Sequence, residues 1–277
     1  MIYKKLLLVL VVVVSLGFNS CSSDGTSNSI DGTNCTVTGE GTMVTQVLNL
    51  SNFSGINVSI AGNVTISQGA TQNVEVIGQA NIIAALSTSV SNNFWNIGFE
   101  GNCSYNYNEL TINITVPNIN QIELSGASDI VVNDFNNQNN QLMLDLTGTG
   151  TLTLNNFEGI TSIDYISSGN VKTNINKPIS TLNTMDVTIS GTGDLSINEA
   201  GIMLDNLNIS LIGDGDYKGF KIVTEDCTVT TTGTGNAEVF ANNTLKVTIS
   251  GTGNVSYKGA PTITQNITGT GQLIDAN

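Results

Sequence analysis

The acidic pair in Gly213-Asp214-Gly215-Asp216 is the closest approach to a metal-ligand pattern in this chain. Two carboxylates in a glycine-rich corner are hard oxygen donors of the kind Ca²⁺ takes. The tandem acidic nonapeptides of calcium-loaded β-rolls are missing, so Asp214 and Asp216 stand as weak candidates beside the plainer reading of a polar corner. Glu225-Asp226 is read as an exposed acidic turn. A second chemistry lies with the aromatic residues. Phe94, Trp95 and Phe99 cluster in one segment, with Tyr105 and Tyr107 in the next. Flat rings can form a platform for a sugar face. Trp95, the one tryptophan, fits a packed core better, which leaves Tyr105 and Tyr107 as the glycan-contact candidates.

Other chemistries are excluded by composition. There is no histidine and no arginine. Ser-His-Asp and Cys-His nucleophile systems are therefore absent, as are imidazole zinc sites and the bidentate guanidinium clamp for carboxylate or phosphate. No lysine sits in a recognisable acid–base cluster. The formal net charge is −14, and loss of a leader holding Lys4 and Lys5 makes it two units more negative. A nucleic-acid binder needs a positive surface, so that class is excluded. The expectation is a protein that is not an enzyme and needs no cofactor.

The elements that position these residues come from a repeat. Ser250-Gly251-Thr252-Gly253-Asn254-Val255 is one copy of a corner motif that recurs at Ser128, Gly150, Gly169, Gly193, Gly215, Gly235, Gly253 and Gly271, with gaps of 22, 19, 24, 22, 20, 18 and 18 residues. Two residues after the aligned position stand Ile130, Leu152, Val171, Leu195, Tyr217, Ala237, Val255 and Leu273. Four before it stand Leu124, Leu146, Tyr165, Ile189, Leu211, Thr231, Ile249 and Ile267. Apolar columns two residues apart, separated by Thr, Ser, Asp and Asn, are strands with one buried face. Repeats of this length cannot bury that face alone and must stack. The prediction is an all-β fold, a right-handed parallel β-helix of about eight coils, preceded by a mostly β N-terminal segment. Eight similar corners favour it over an antiparallel meander. Glycine at the corner supplies either positive φ or close backbone approach.

Residues 1–20 read as a signal peptide, with Lys4 and Lys5 ahead of the apolar run Leu6 to Val14. Phe18-Asn19-Ser20-Cys21 resembles a bacterial lipoprotein processing site, with Cys21 the lipidated residue. Phe18 stands where leucine is more usual. Residues 21–45 are then a lipidated cysteine and a Ser/Thr/Gly/Asn-rich tether. Alternation at Ile56, Val58 and Ile60 and at Val64 and Ile66 predicts two strands with Gly62-Asn63 as the turn. Further strands are expected at Val74–Ile77, Phe94–Phe99 and Leu110–Pro117, with a short helical turn near Ile82–Leu86. Residues 46–277 form one domain, divided into the N-terminal β segment 46–117 and the repeat coils 118–277. Cys227 falls in the apolar column of Leu142, Met185, Leu207, Leu245 and Ile263 and is expected to be buried. With Cys21 assigned to lipid, Cys35 and Cys103 remain, and an oxidising envelope permits a disulfide between them.

Phe53-Ser54-Gly55-Ile56-Asn57-Val58, then Gly62-Asn63-Val64-Thr65-Ile66-Ser67-Gln68-Gly69, Leu110 to Pro117, the serial Ser/Thr-Gly-Thr-Gly corners and Val255 to Pro261 together resemble the auto-transporter adhesin head GIN domain family. The resemblance spans roughly 46–277. It implies a β-helical envelope lipoprotein with an adhesive or structural role, and it brings no catalytic residues. The leading expectation is a non-enzymatic adhesin or scaffolding module at the outer membrane, surface or periplasmic face open. It would be held by lipid, with a glycan or protein partner and no nucleic acid. The alternatives are a glycan-binding or glycan-cleaving β-helix, and a self-associating homo-oligomer with an uncovered final strand.

Overall fold

A computed structural model of the chain describes residues 35–136, 140–177 and 179–277. The expected signal peptide and Cys21 lie outside them. The described chain is nearly all β, a parallel β-solenoid of about seven turns. Two faces carry its long ladders. On the first, Gly55–Val58, Gln121–Leu124, Gln141–Leu146, Ser162–Ser167 and Thr184–Ile189 stack in parallel. The ladder continues through 206–211, 226–231 and 244–249 to Thr262–Ile267. On the second, Ala61–Gln68, Ala127–Asn133, Thr149–Leu154, Asn170–Ile175 and Leu195–Ile197 do the same. It runs on to Val255–Lys258 and Leu273–Asp275.

Alternation turns the apolar columns inward. Leu146, Ile189, Leu211 and Ile249 are each fully buried along one column of the first face, and Ile130, Leu152, Leu195 and Val255 along one of the second. Cys227 sits between Leu207 and Leu245 and is buried. Trp95 is fully enclosed beside Phe53, with its indole N–H donating to the Ser87 carbonyl at 3.0 Å.

One copy of the repeat is displaced from the sequence alignment by two residues. Gly150 pairs with Val171, not Gly169, and Thr173 pairs with Leu195. Tyr165 accordingly stands between Leu144 and Val187, and Ser167 between Leu146 and Ile189. The cause is the composition of this corner. Ser168-Gly169-Asn170-Val171 keeps only the first of the two glycines, so an alignment on the second glycine takes the wrong one. Corrected, the rungs are more even. Hydrogen bonds between equivalent corner positions span 22 residues from Asp129 to Thr151, 21 from Asn155 to Asn176, 22 from Asp194 to Asp216, 20 from Asp216 to Asn236 and 18 from Asn236 to Asn254.

Close approach, more than positive φ, is why these corners need glycine. Gly213 lies against the Gly191 carbonyl of the coil beneath, and any Cβ there would overlap it. Gly150 has positive φ as well, at +122°.

The first coil is laid down out of spatial order. Phe94–Ile97 and Thr111–Val116 pair with one edge of Gly55–Val58 and Ala61–Gln68, while the next residues in sequence, from Gln121 onward, pair with the other edge. The intervening chain closes this end of the core. Asn73–Gln79 runs antiparallel to Thr111–Val116, Met43–Leu48 runs antiparallel to Asn73–Gln79, and the single turn of helix Ala80–Ile83 buries Ile82 and Ile83. The turn expected at Gly62-Asn63 is part of the strand Ala61–Gln68; the chain bends at Ser59–Ile60 instead. Within the expected tether 21–45, Thr36–Thr38 is a strand paired with Ser104–Asn106, and Met43–Leu48 begins another. A Cys35–Cys103 disulfide, with 4.7 Å between the Cα atoms, adjoins that short pairing.

At the other end, Thr262–Ile267 and Leu273–Asp275 form the last rung, with Ile263, Ile267 and Ile274 more than a third exposed.

Candidate binding cleft

The disulfide-pinned segment stands over the first corners of the solenoid. Val37 pairs with Tyr105 and Thr38 with Asn106, which holds 104–106 in an extended run. The chain then returns to the corner, where the Leu110 carbonyl accepts the Asn63 N–H at 2.9 Å. Gly62 permits this: a Cβ there would stand 2.5 Å from that same carbonyl oxygen. Between the overhanging segment 105–110 and the three corner rungs at Asn63, Asp129 and Gly150 lies a cleft of about 550 Å³. That is within the size range of small-ligand sites, roughly 300–1,000 Å³.

Tyr105 and Tyr107 both line this cleft. The Tyr105 ring stacks on Phe99, with centroids 3.9 Å apart, and its hydroxyl donates to the Glu100 carbonyl at 2.7 Å. Tyr107 meets the edge of Phe99, donates to the Ala61 carbonyl at 2.8 Å and accepts the Ala61 N–H at 3.2 Å. Partial burial raises the Tyr107 phenol above its ordinary value, partly offset by the bond to Ala61. Both rings are thus fixed in orientation and offer surface, not free hydroxyls. The floor is polar. Asp129 Oδ1 accepts both the N–H and the hydroxyl of Thr151, at 3.0 and 2.8 Å, and Ser128 donates its hydroxyl to the Ile60 carbonyl.

Sequence reasoning singled out the two tyrosines but missed Asn63, Asn106, Asn108, Glu109 and Asp129, which share the cleft with them. The signal for Asp129 was present, since it occupies the polar position after the aligned corner residue. Nothing local marks the others, because the stacking of coils and the disulfide bring 105–110 over the corner.

Asp214 and Asp216 lie elsewhere on the solenoid and are committed to hydrogen bonds. Asp214 Oδ1 accepts the Thr234 hydroxyl at 2.7 Å. Asp216 Oδ1 accepts the Asn236 N–H at 2.8 Å, and Asp216 Oδ2 lies 3.5 Å from the Lys218 ammonium. Asp216 belongs to a ladder in which each side-chain oxygen takes the backbone N–H of the next coil: Asp194 to Asp216, Asp216 to Asn236, Asn236 to Asn254, Asn254 to Gln272. A second ladder of amides joins Asn133, Asn155, Asn176 and Asn198, each link 2.8 Å. Among the described residues no group of three or more His, Cys, Asp or Glu is placed to hold a metal ion. Glu225-Asp226 is not an exposed turn. It lies inside the strand Tyr217–Thr231, half-buried, with Asp226 Oδ1 accepting from Asn243 and Thr244. The strand continues there because in these shorter coils one strand bends around the corner that a turn occupies earlier.

Comparison with known proteins agrees with this architecture. No curated protein matches the sequence. Among solved structures, a "putative adhesin" from Parabacteroides merdae superposes with a TM-score of 0.79 at 19% identity, covering 87% of this chain and 100% of the other. A second "putative adhesin", from Parabacteroides distasonis, gives 0.75 at 20% identity, with 86% and 98% covered. A "putative lipid binding protein" from Parabacteroides distasonis gives 0.69 at 16% identity, with 87% and 100% covered. At these identities the likeness is one of fold. The model of the family described as "Putative auto-transporter adhesin, head GIN domain" matches residues 52–261, so the chain belongs to that family.

Proposed function

We propose that this chain is a non-enzymatic adhesive module of the cell envelope, anchored by lipid on Cys21 and presenting the cleft of Tyr105 and Tyr107 to a ligand. The observation that carries the reading is the lining of that cleft. It combines fixed aromatic surface, side-chain amides and two carboxylates, with no lysine among its lining residues. Such a set can bind a polar ligand, and the chain has no histidine to act as a general base near neutral pH. Family membership supports an envelope setting. Deletion in the native host, with complementation by wild-type and Cys21→Ser forms, tests the reading. Attachment restored only by wild type, together with palmitate incorporation lost in Cys21→Ser, supports it. Unchanged attachment and envelope integrity on deletion overturns it.

A second reading, self-association, is favoured by the last rung. Thr262–Ile267 leaves one edge unpaired among the described residues. It carries no proline or charge to discourage a partner strand. Sedimentation of the purified chain at rising concentration decides this. A dimer abolished by Thr264→Lys supports the reading, and a monomer throughout rejects it.

A further inference from the structure

The cleft gathers unengaged side-chain amides into one concavity beside two aromatic rings. In the two ladders, by contrast, side-chain amides are engaged by the neighbouring coil: Asn155, Asn176 and Asn198 in one, Asn236 and Asn254 in the other. At the cleft, the side chains of Asn63, Asn106, Asn108 and Glu109 are exposed and make no hydrogen bond to any described residue. Each free amide offers two donors and an acceptor. They converge on one concavity from two rigid supports, the strand Ala61–Gln68 and the disulfide-pinned segment after Cys103.

On the reading of this chain as a binding module, we propose that the cleft recognises an uncharged, hydroxyl-rich saccharide. Amides that both donate and accept match hydroxyl groups, which do the same. The half-buried Tyr105 and Tyr107 rings supply apolar surface for the C–H face of a sugar ring, as amphipathic side chains with few rotatable bonds. Charge selects among saccharides. Glu109 and Asp129 are the ionisable groups beside the two phenols, and no cation lines the cleft. A sialylated or sulfated glycan would meet repulsion from these carboxylates and from a chain of net charge −14. A basic peptide suits the carboxylates but not the amides, and Asp129 is already engaged by Thr151.

The test is an array with neutral, sialylated and sulfated oligosaccharide arms and a lysine-rich peptide control. It is probed with the form beginning at Ser22, in EDTA and again with added Ca²⁺. Binding is expected on neutral arms alone. Asn63→Ala and Asn108→Ala should each weaken it about tenfold, the loss of one well-placed interaction. Asn254→Ala, in the distal ladder, should leave affinity unchanged. Both cleft side chains are exposed and unpartnered, so their variants retain the fold, which circular dichroism checks. Binding on anionic or peptide arms alone, a requirement for divalent cation, or neutral binding indifferent to both cleft variants overturns the inference. Silence on every arm overturns it too, and the attachment assay then separates the two claims. Attachment that still depends on the protein leaves the adhesive reading standing, whereas its absence removes both.

Discussion

The Tyr165 hydroxyl donates to Thr173 Oγ1 at 3.0 Å inside the solenoid core, joining the two faces of a single coil. Both residues are fully buried. This coil keeps one corner glycine, Gly169, and it also carries polar residues where its neighbours carry aliphatic ones. Thr173 stands in the column of Leu152 and Leu195. Desolvation raises the Tyr165 phenol above its ordinary value, with the Thr173 bond in partial opposition. Removing either partner strands the other's polar group. Tyr165→Phe and Thr173→Val should each cost about 1–3 kcal/mol, while the double variant should cost less than their sum. Urea denaturation of the four proteins measures the cycle, and strictly additive losses would contradict the pairing.

Tyr217 predicts the opposite sign for the same substitution. It is fully buried, and its hydroxyl has no hydrogen-bond partner among the described residues. Its ring occupies the space a side chain at Gly219 would need. Tyr217→Phe keeps the ring and discards the unpaired hydroxyl. The expected outcome is a protein equal to wild type or up to about 1 kcal/mol more stable. A loss like that of Tyr165→Phe would show that the hydroxyl is in fact satisfied.

Thiol chemistry should separate the three described cysteines. Burial pushes the Cys227 thiol up to about 12, so native protein should resist iodoacetamide at neutral pH and label one cysteine on unfolding. Cys35 and Cys103 should label only after reduction. Opening their bridge frees the pairing of Thr36–Thr38 with Ser104–Asn106. A bridge of this kind contributes about 2–4 kcal/mol, and a domain of this size loses about 2–4 °C per kcal/mol. Reduction should therefore lower the thermal midpoint by about 5–15 °C, with hydrogen exchange rising first in 36–38 and 104–110. An unchanged midpoint and unchanged exchange would argue against the bridge.

The Asp194–Lys218 pair, 2.7 Å apart, sets a pH window. Burial acts to raise the Asp194 carboxyl, but the Lys218 ammonium and the Asp216 N–H outweigh it and hold the group below 3.8. Its contribution is present above 3.8 and lost as pH falls through the depressed folded value. Lys218 is raised above 10.5, chiefly by Asp194. Its contribution is complete below 10.5 and lost as pH rises through the raised value. Both side chains are about a third or more exposed, so the pair is worth at most about 1 kcal/mol. Lys218→Met should lower stability by that amount between pH 5 and 9 and converge with wild type at both extremes. A uniform offset at all pH values would mean that the loss is one of packing.

The strands and the stacking were legible in the sequence. Period-two columns such as that of Leu146, Ile189 and Leu211 state which side chains turn inward, and a repeat near 20 residues states that coils stack. Cys227 could be placed by its column alone. Register within one coil was not legible, because Ser168-Gly169-Asn170-Val171 carries valine where the other repeats carry glycine or, at 128, serine. Only the hydrogen-bonded pairing of Gly150 with Val171 fixes it. Nor could the sequence show that Phe94–Ile97 lies on one side of Gly55–Val58 and Gln121–Leu124 on the other. Local pattern specifies a strand and its faces, but the choice of neighbouring edge is a long-range contact. The cleft is of that kind too. Tyr105 and Asn63 are brought together by a corner, a coil return and the Cys35–Cys103 bridge, so their proximity exists only in the folded chain.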